Sequence, residues 1–210
     1  KKRYYIKTLK KEFINNFNII IDDNKFSHID HHLSHAASAF HPSPFSEATI
    51  LVLDGVGEFN TTTIWKGDQN GIKLVKKIDF PNSLGLLYSA FTYFCGFKVN
   101  NGEYKLMGLA PYGNPIYVDI IKDNLIKIKD DGMFTLNMKY FSFAYSGYML
   151  TNNFYKLFNL NERTPESKIH QVYLDIAASI QIVTEEVILK LSSTAINLTK
   201  IDNLCLAGGV

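Results

Sequence analysis

The chain has 210 residues, 46% of them hydrophobic and 20% charged, with a formal net charge of +2. That length holds one domain with a sizeable core, or one domain and part of another, and the composition is that of a globular protein. A balance this close to neutral gives no argument for a nucleic-acid or membrane partner, neither of which is expected, and no apolar run reaches the roughly 18 residues of a membrane span.

Residues 1–25 are rich in lysine and asparagine, with Phe13, Ile14, Phe17, Ile19, Ile20 and Ile21 as an apolar patch. A short amphipathic helix over 8–17 is expected, docked on a part of the protein outside these residues. A short strand over 26–30 then feeds a helix from His31 to Phe40, which Pro42 and Pro44 close. On that helix His31 and His35 project from one face, one turn apart. This spacing lets two neutral imidazoles grip one metal ion, although His28 and His32 share it and chance produces it readily.

From Ala48 the pattern becomes β, with strands over 48–54, 61–66 and 73–80. Asn70-Gly71 is a hairpin signal, because both residues tolerate positive φ. Asp54 ends the first apolar run just before Gly55. It is placed as a third metal ligand, or is the start of an ordinary Asp-Gly turn. Ser83 can cap a helix whose face is Leu84, Leu87, Tyr88, Phe91 and Phe94, ending at Gly96.

A short helix over 104–108 and a loop follow, with Glu103 and Lys105 as polar residues that would otherwise read as a surface ion pair. Residues 115–129 read as helix, 130–132 as a turn and 133–136 as a strand. The stretch 139–163 carries eight aromatics (Tyr140, Phe141, Phe143, Tyr145, Tyr148, Phe154, Tyr155 and Phe158) and few cations. It reads as core under a long loop, or as the lining of an acceptor pocket, rather than as a nucleic-acid platform. Thr164-Pro165-Glu166 signals the start of a core helix of about five turns. Leu204-Cys205-Leu206 is a buried strand leading into Gly208-Gly209.

Cys95 and Cys205 sit in apolar surroundings with no spaced framework. With no apolar run after Lys1-Lys2-Arg3 to make a secretory signal, a reducing, cytoplasmic compartment is expected. The absence of an initial Met and the stop at Val210 after a glycine pair read as an internal portion of a longer protein.

Five stretches carry a family resemblance. They are His31–Phe40, Leu53-Asp54-Gly55-Val56-Gly57-Glu58, Ser83–Tyr88, Gly102–Gly113 and Leu204–Val210. In this order they resemble the N-terminal domain of the carbamoyltransferase family, which includes nodulation-factor and antibiotic O-carbamoyltransferases. The resemblance implies an α/β fold of the actin-like (ribonuclease H-like) class, a mixed sheet with flanking helices, truncated at both ends. Residues 1–25 would be a remnant of the preceding subdomain and 26–210 the carbamoyltransferase N-terminal domain.

By the same resemblance His31, His35 and Asp54 bind a metal, commonly iron. Two histidines and a carboxylate taken alone also suit zinc. Gly55 and Gly57, with Gly208 and Gly209, become nucleotide- or phosphate-binding turns, because a backbone without Cβ admits phosphates closely. Glu103 and Lys105 become contacts for the carbamoyl donor or acceptor. The implied reaction moves a carbamoyl group from carbamoyl-adenylate, made from carbamoyl phosphate and ATP, to a hydroxyl of a small natural product or sugar. The implied partners are those small molecules and a C-terminal adenylate-forming domain of the same chain, with a homodimer left open. A general base is not assigned within these residues; its candidates are expected outside them, and His32 and His170 are alternatives without support. Three rival readings stand beside this one: an actin-like ATPase or kinase using Asp54 with Mg²⁺, a tRNA threonylcarbamoyl transferase, and an inactive copy with at most a structural metal.

Overall fold

The structure is a computed structural model that describes residues 2–18 and 27–210. Helices α1 (Lys2–Phe17) and α2 (His31–Phe40) precede an antiparallel meander of β1 (Ala48–Leu53), β2 (Asn60–Asp68) and β3 (Gly71–Asp79). Then come α3 (Leu84–Phe94), α4 (Glu103–Leu109), a 3₁₀ turn (Ala110–Tyr112) and α5 (Val118–Asn124). A small hairpin of β4 (Ile126–Ile128) and β5 (Phe134–Leu136) is followed by α6 (Asn152–Phe158), the long α7 (Gln171–Thr199) and β6 (Leu204–Ala207). The expected apolar positions Ile19, Ile20 and Ile21, and Phe26 of the expected first strand, lie outside the described residues.

The main sheet has the order β3-β2-β1-β6, with β6 parallel to β1 and the other pairs antiparallel. Strand β1 is buried along its whole length because both its faces are covered. Ala48, Ile50 and Val52 pack with Trp65 against Ala36 and Phe40 of α2. Leu51 and Leu53 point the other way, into a larger core with Leu84, Leu87 and Phe91 of α3 and Ile176, Ile180 and Val183 of α7. The alternation of side chains along a strand thus builds a helix–sheet–helix, mixed α/β arrangement. Thr49 adds a polar tie: its hydroxyl bonds the Thr199 hydroxyl at the end of α7 and donates to the Ile201 carbonyl at 2.8 Å.

Several local readings hold. Gly71 (φ +112°) turns the β2–β3 hairpin, with Asp68 Oδ1 accepting the Asn70 N–H at 2.8 Å. Ser83 caps α3 by accepting the Leu86 N–H at 3.0 Å, and Gly96 (φ +77°) ends it. Others are corrected. The expected helix over 115–129 stops at Asn124, because residues 126–128 pair with 134–136 across the turn at Gly132 (φ +76°). Residues 27–30 carry no strand. Helix α7 begins at Gln171 rather than at Thr164-Pro165, and runs 29 residues.

The reason for that late start is Arg163. It is 5% exposed, donates from Nε to the Cys95 carbonyl at 2.7 Å and from Nη1 to the Ser167 carbonyl, and lies over the Phe97 ring at 5.0 Å. The segment after it is therefore folded into a turn, closed by the Ser167 N–H on the Thr164 carbonyl, with Glu166 at φ +61°. Burial also pushes the Cys95 thiol up to about 12, which makes it an inert core residue.

The larger core is organised around aromatic rings: Phe154 of α6 stands 5.4 Å from Phe91, 5.1 Å from Phe94 and 4.9 Å from Phe158. Phe154→Ala is expected to destabilise the fold by about 3–5 kcal/mol, read as a lower urea midpoint with unchanged slope. A loss below about 1 kcal/mol would remove this cluster from its central place. On the surface, Glu186 accepts from Lys122 at 2.7 Å and Lys190 at 2.8 Å, and these lysines hold its carboxyl below the ordinary value. Because the folded value lies below the unfolded one, this stabilisation is complete above the ordinary glutamate range and disappears as pH falls through the folded value. Glu186→Gln should therefore lower the melting temperature at pH 7, by under about 1 kcal/mol of stability. The difference from wild type should vanish in acid, and a constant difference across pH would contradict the assignment.

Candidate metal centre

The site lies where β1 leaves the core. Asp54 is the first residue past the strand, and its N–H donates to the Thr61 carbonyl at 2.9 Å, so its backbone is still locked to β2. Its carboxylate is divided between two tasks. Oδ1 accepts the Gly55 N–H at 2.8 Å, and Oδ2 faces the histidines, 2.6 Å from His31 Nε2 and 3.6 Å from His35 Nε2. The two Nε2 atoms are themselves 3.0 Å apart. Burial works to raise the Asp54 pKa, but the Gly55 amide and the two imidazoles outweigh it and hold the carboxyl below its ordinary range.

The histidines owe their positions to the way α2 docks. Its buried face is His32, Ala36 and Phe40, four residues apart, which turns His31 and His35 toward the end of β1. The Glu58 carboxylate accepts the His31 backbone N–H at 2.9 Å, tying the start of the helix to the loop after Asp54. That anion also complements the helix N-terminus. His32, with the same one-turn spacing to His28, is only 2% exposed. Its Nδ1 lies 2.8 Å from Thr63 Oγ1, which also accepts the Trp65 indole N–H at 2.7 Å. Burial keeps His32 on the low, neutral side of the ordinary imidazole value.

The three facing atoms fit a metal. Ligands around a tetrahedral ion with bonds of about 2.0–2.1 Å stand about 3.3 Å apart; here the separations are 2.6, 3.0 and 3.6 Å. Among the described residues, His31, His35 and Asp54 form the one group of three or more such side chains able to converge on an ion. The cluster is partly open, with side-chain exposures of 43%, 32% and 17% for His31, His35 and Asp54, which leaves an approach for a further ligand.

Both glycine turns meet the cluster. A Cβ on Gly57 would press on the His32 and His31 side chains, at 2.7 Å from the nearest atom. Gly208 (φ +107°) sits so close to the Leu53 backbone that no side chain fits, and a Cβ on Gly209 would stand 3.1 Å from Asp54 Oδ1. Gly55 has open space around its α-carbon.

Glu103 and Lys105 share no hydrogen bond or ion pair with this cluster. The Glu103 carboxylate accepts from the Ser89 hydroxyl at 2.7 Å and the Asn100 and Gly102 amides at 2.9 and 3.1 Å. Burial opposes its ionisation, yet these donors hold it below the ordinary range. Lys105 is exposed on α4, and His170 is exposed at the start of α7.

Three residues support the site without having been assigned a part in it from the sequence, although two of them stand inside the motifs. Glu58 and Thr63 are two, and Ser83 is the third. Beyond its capping role, the Ser83 hydroxyl lies 2.6 Å from the Gly55 carbonyl and 3.2 Å from the Asp54 carbonyl. The acid following Gly57, four residues beyond the turn aspartate, was the available signal for Glu58.

The model of the carbamoyltransferase N-terminus family matches residues 1–210. A Synechocystis protein, the uncharacterized protein sll1178, is 59% identical over 181 residues, covering 86% of this chain and 29% of that protein. The nodulation protein NolNO of Sinorhizobium fredii is 31% identical over 194 residues, covering 92% of this chain and 27% of its own length. The nodulation protein NolO of Bradyrhizobium diazoefficiens is 30% identical over 184 residues, covering 87% and 31%. The chain thus spans under a third of the length of these relatives. With its helix-borne histidine pair, its strand-end aspartate and a match along its whole length, the chain belongs to the carbamoyltransferase N-terminus family.

Proposed function

We propose that this chain supplies the metal-binding and donor-positioning part of a carbamoyltransferase. The reaction moves a carbamoyl group from carbamoyl-adenylate to a hydroxyl of a small natural product or sugar. The carrying observation is the convergence of His31 Nε2, His35 Nε2 and Asp54 Oδ2 between two glycine turns. Family membership supports the transfer chemistry, and the longer relatives leave room for a second domain that forms the adenylate from carbamoyl phosphate and ATP. The order β3-β2-β1-β6, a meander followed by a parallel strand, supports an actin-like reading of the sheet.

In the transfer the acceptor oxygen bonds the carbamoyl carbon, the bond from that carbon to the phosphate oxygen breaks, and AMP leaves with the electron pair. The acceptor proton passes to a general base. His31, His35 and Asp54 would hold a divalent ion, iron by the family resemblance or zinc by donor type, which offsets negative charge on the departing phosphate. Asp54 keeps its charge through its bond from the Gly55 amide, so its Oδ2 remains a ligand at neutral pH. The Gly55 N–H is given to Asp54 Oδ1 and the Gly57 N–H to the Asn60 carbonyl, so what these turns would offer a phosphate or nucleotide is room, with open space at the Gly55 α-carbon and Gly208 and Gly209 passing beside Asp54 without side chains. Lys105 is the cation on α4 available to the donor, while Glu103 holds the 100–102 loop from which that helix starts.

Elemental analysis of the full-length protein tests the reading. About one iron or zinc per chain is expected, lost in His31→Ala and Asp54→Ala variants whose circular dichroism is unchanged. A folded wild type without metal after reconstitution would sink it. Release of AMP from carbamoyl phosphate, ATP and an acceptor hydroxyl should fall in both variants by more than the roughly 10–100-fold that losing an outer hydrogen-bond partner costs. Gly209→Ala, which presses a methyl on Asp54 Oδ1, should weaken metal binding while the fold melts as before. Unchanged affinity would separate that turn from the site.

A further inference from the structure

A cleft of about 750 Å³ opens at the far end of α3 from the metal centre. Gly85 in the first turn of α3 abuts the Asp54 backbone, whereas Tyr93 in its last turn lines this cleft. The eight-residue step from Gly85 to Tyr93 spans about 12 Å along the helix axis. Tyr155 of α6 and Glu162 beyond it form the facing wall, and the Tyr155 hydroxyl donates to Glu162 Oε2 at 2.6 Å. Tyr93 lines the cleft beside this pair. Asn152 and Asn161 add side-chain amides to the lining.

The rim is a loop built to present an aromatic face. Phe141 and Leu150 pair as an antiparallel bridge, and between them the Ser142 hydroxyl donates to the Tyr148 carbonyl at 2.9 Å. The Ser146 N–H donates back to the Ser142 carbonyl at 2.9 Å. So held, Tyr148 is 72% exposed at the mouth of the cleft, although the same stretch buries Phe141 and Phe154 completely. An aromatic ring on a hydrogen-bonded loop costs little further order on binding.

The lining holds tyrosines, hydroxyls, two amides and one carboxylate, and no lysine, arginine or histidine. A phosphate or other anion would find no cation there and one fixed negative charge. A purely apolar ligand would strand the polar groups. A polyhydroxylated ring meets both requirements: its C–H face covers a tyrosine, and its hydroxyls pair with a carboxylate and amides that each bond two partners. We propose that this cleft binds a neutral oligosaccharide, with Tyr148 as the stacking platform and Glu162, Asn152 and Asn161 as hydroxyl partners. The site is separate from the metal centre and stands whether or not the transfer reading holds.

Saturation-transfer NMR and calorimetry on the full-length protein, with chitotriose, cellotriose and maltotriose as probes, test this. At least one should bind saturably, at affinities in the roughly millimolar to micromolar range. Tyr148→Ala and Glu162→Gln should each weaken it on the order of tenfold or more, and Tyr148→Phe, which keeps the ring, should retain it. His31→Ala should bind the sugar as wild type does, which distinguishes this cleft from the metal centre. Absence of binding for all three sugars would overturn the proposal, as would binding indifferent to Tyr148→Ala and Glu162→Gln. Loss of binding in His31→Ala alone would overturn it too, by moving the sugar to the metal centre.

Discussion

Burial of β1 on both faces is the constraint from which the candidate site follows. A strand covered on two sides admits only apolar or internally paired residues, and 48–53 meets that rule with Thr49 tied to Thr199 and Ile201. The first residue beyond the cover can carry a charge, and that residue is Asp54. Helix α2 is packed on the same strand through Ala36 and Phe40. Both sources of metal-ligating side chains are therefore referenced to one rigid element, and their separation is set by core packing rather than by loop conformation.

The supporting groups work by removing freedom. Glu58 fixes where α2 starts, Ser83 fixes the carbonyls of the Asp54-Gly55 turn, and Thr63 and Trp65 fix the His32 ring. Glycines serve here mainly by letting backbones approach. A Cβ on Gly85 would stand 2.9 Å from the Gly55 nitrogen, so α3 can press directly on the turn only because residue 85 has no side chain. The same helix then reaches from the metal centre to the tyrosine-lined cleft, and gives the two a fixed spacing.

The aromatic stretch after residue 139 shows how one composition serves two ends. Phe141, Phe154 and Phe158 close the core beneath the loop, and Tyr145 and Tyr148 stand outside it. Periodicity does not distinguish them, because the loop 142–149 follows neither a helical nor a strand repeat. What separates them is the hydrogen bonding of Ser142 and Ser146, which reverses the chain and leaves two tyrosines on its outer surface.

Short-range chemistry was legible in the amino-acid sequence alone. The α2 helix, the Asn70-Gly71 hairpin, the Ser83 cap and the Gly96 stop all depend on neighbours within a few residues, and the structure has them. Where distant partners decide, local signals fail. Residues 126–128 leave the helix because 134–136 offer strand pairing, and Thr164-Pro165 loses its role as a helix start because buried Arg163 needs the Ser167 carbonyl. The choice between His28–His32 and His31–His35 is likewise tertiary. Both pairs have the same spacing, and only the packing of α2 on β1 turns His32 inward to Thr63 and leaves His31 and His35 facing Asp54.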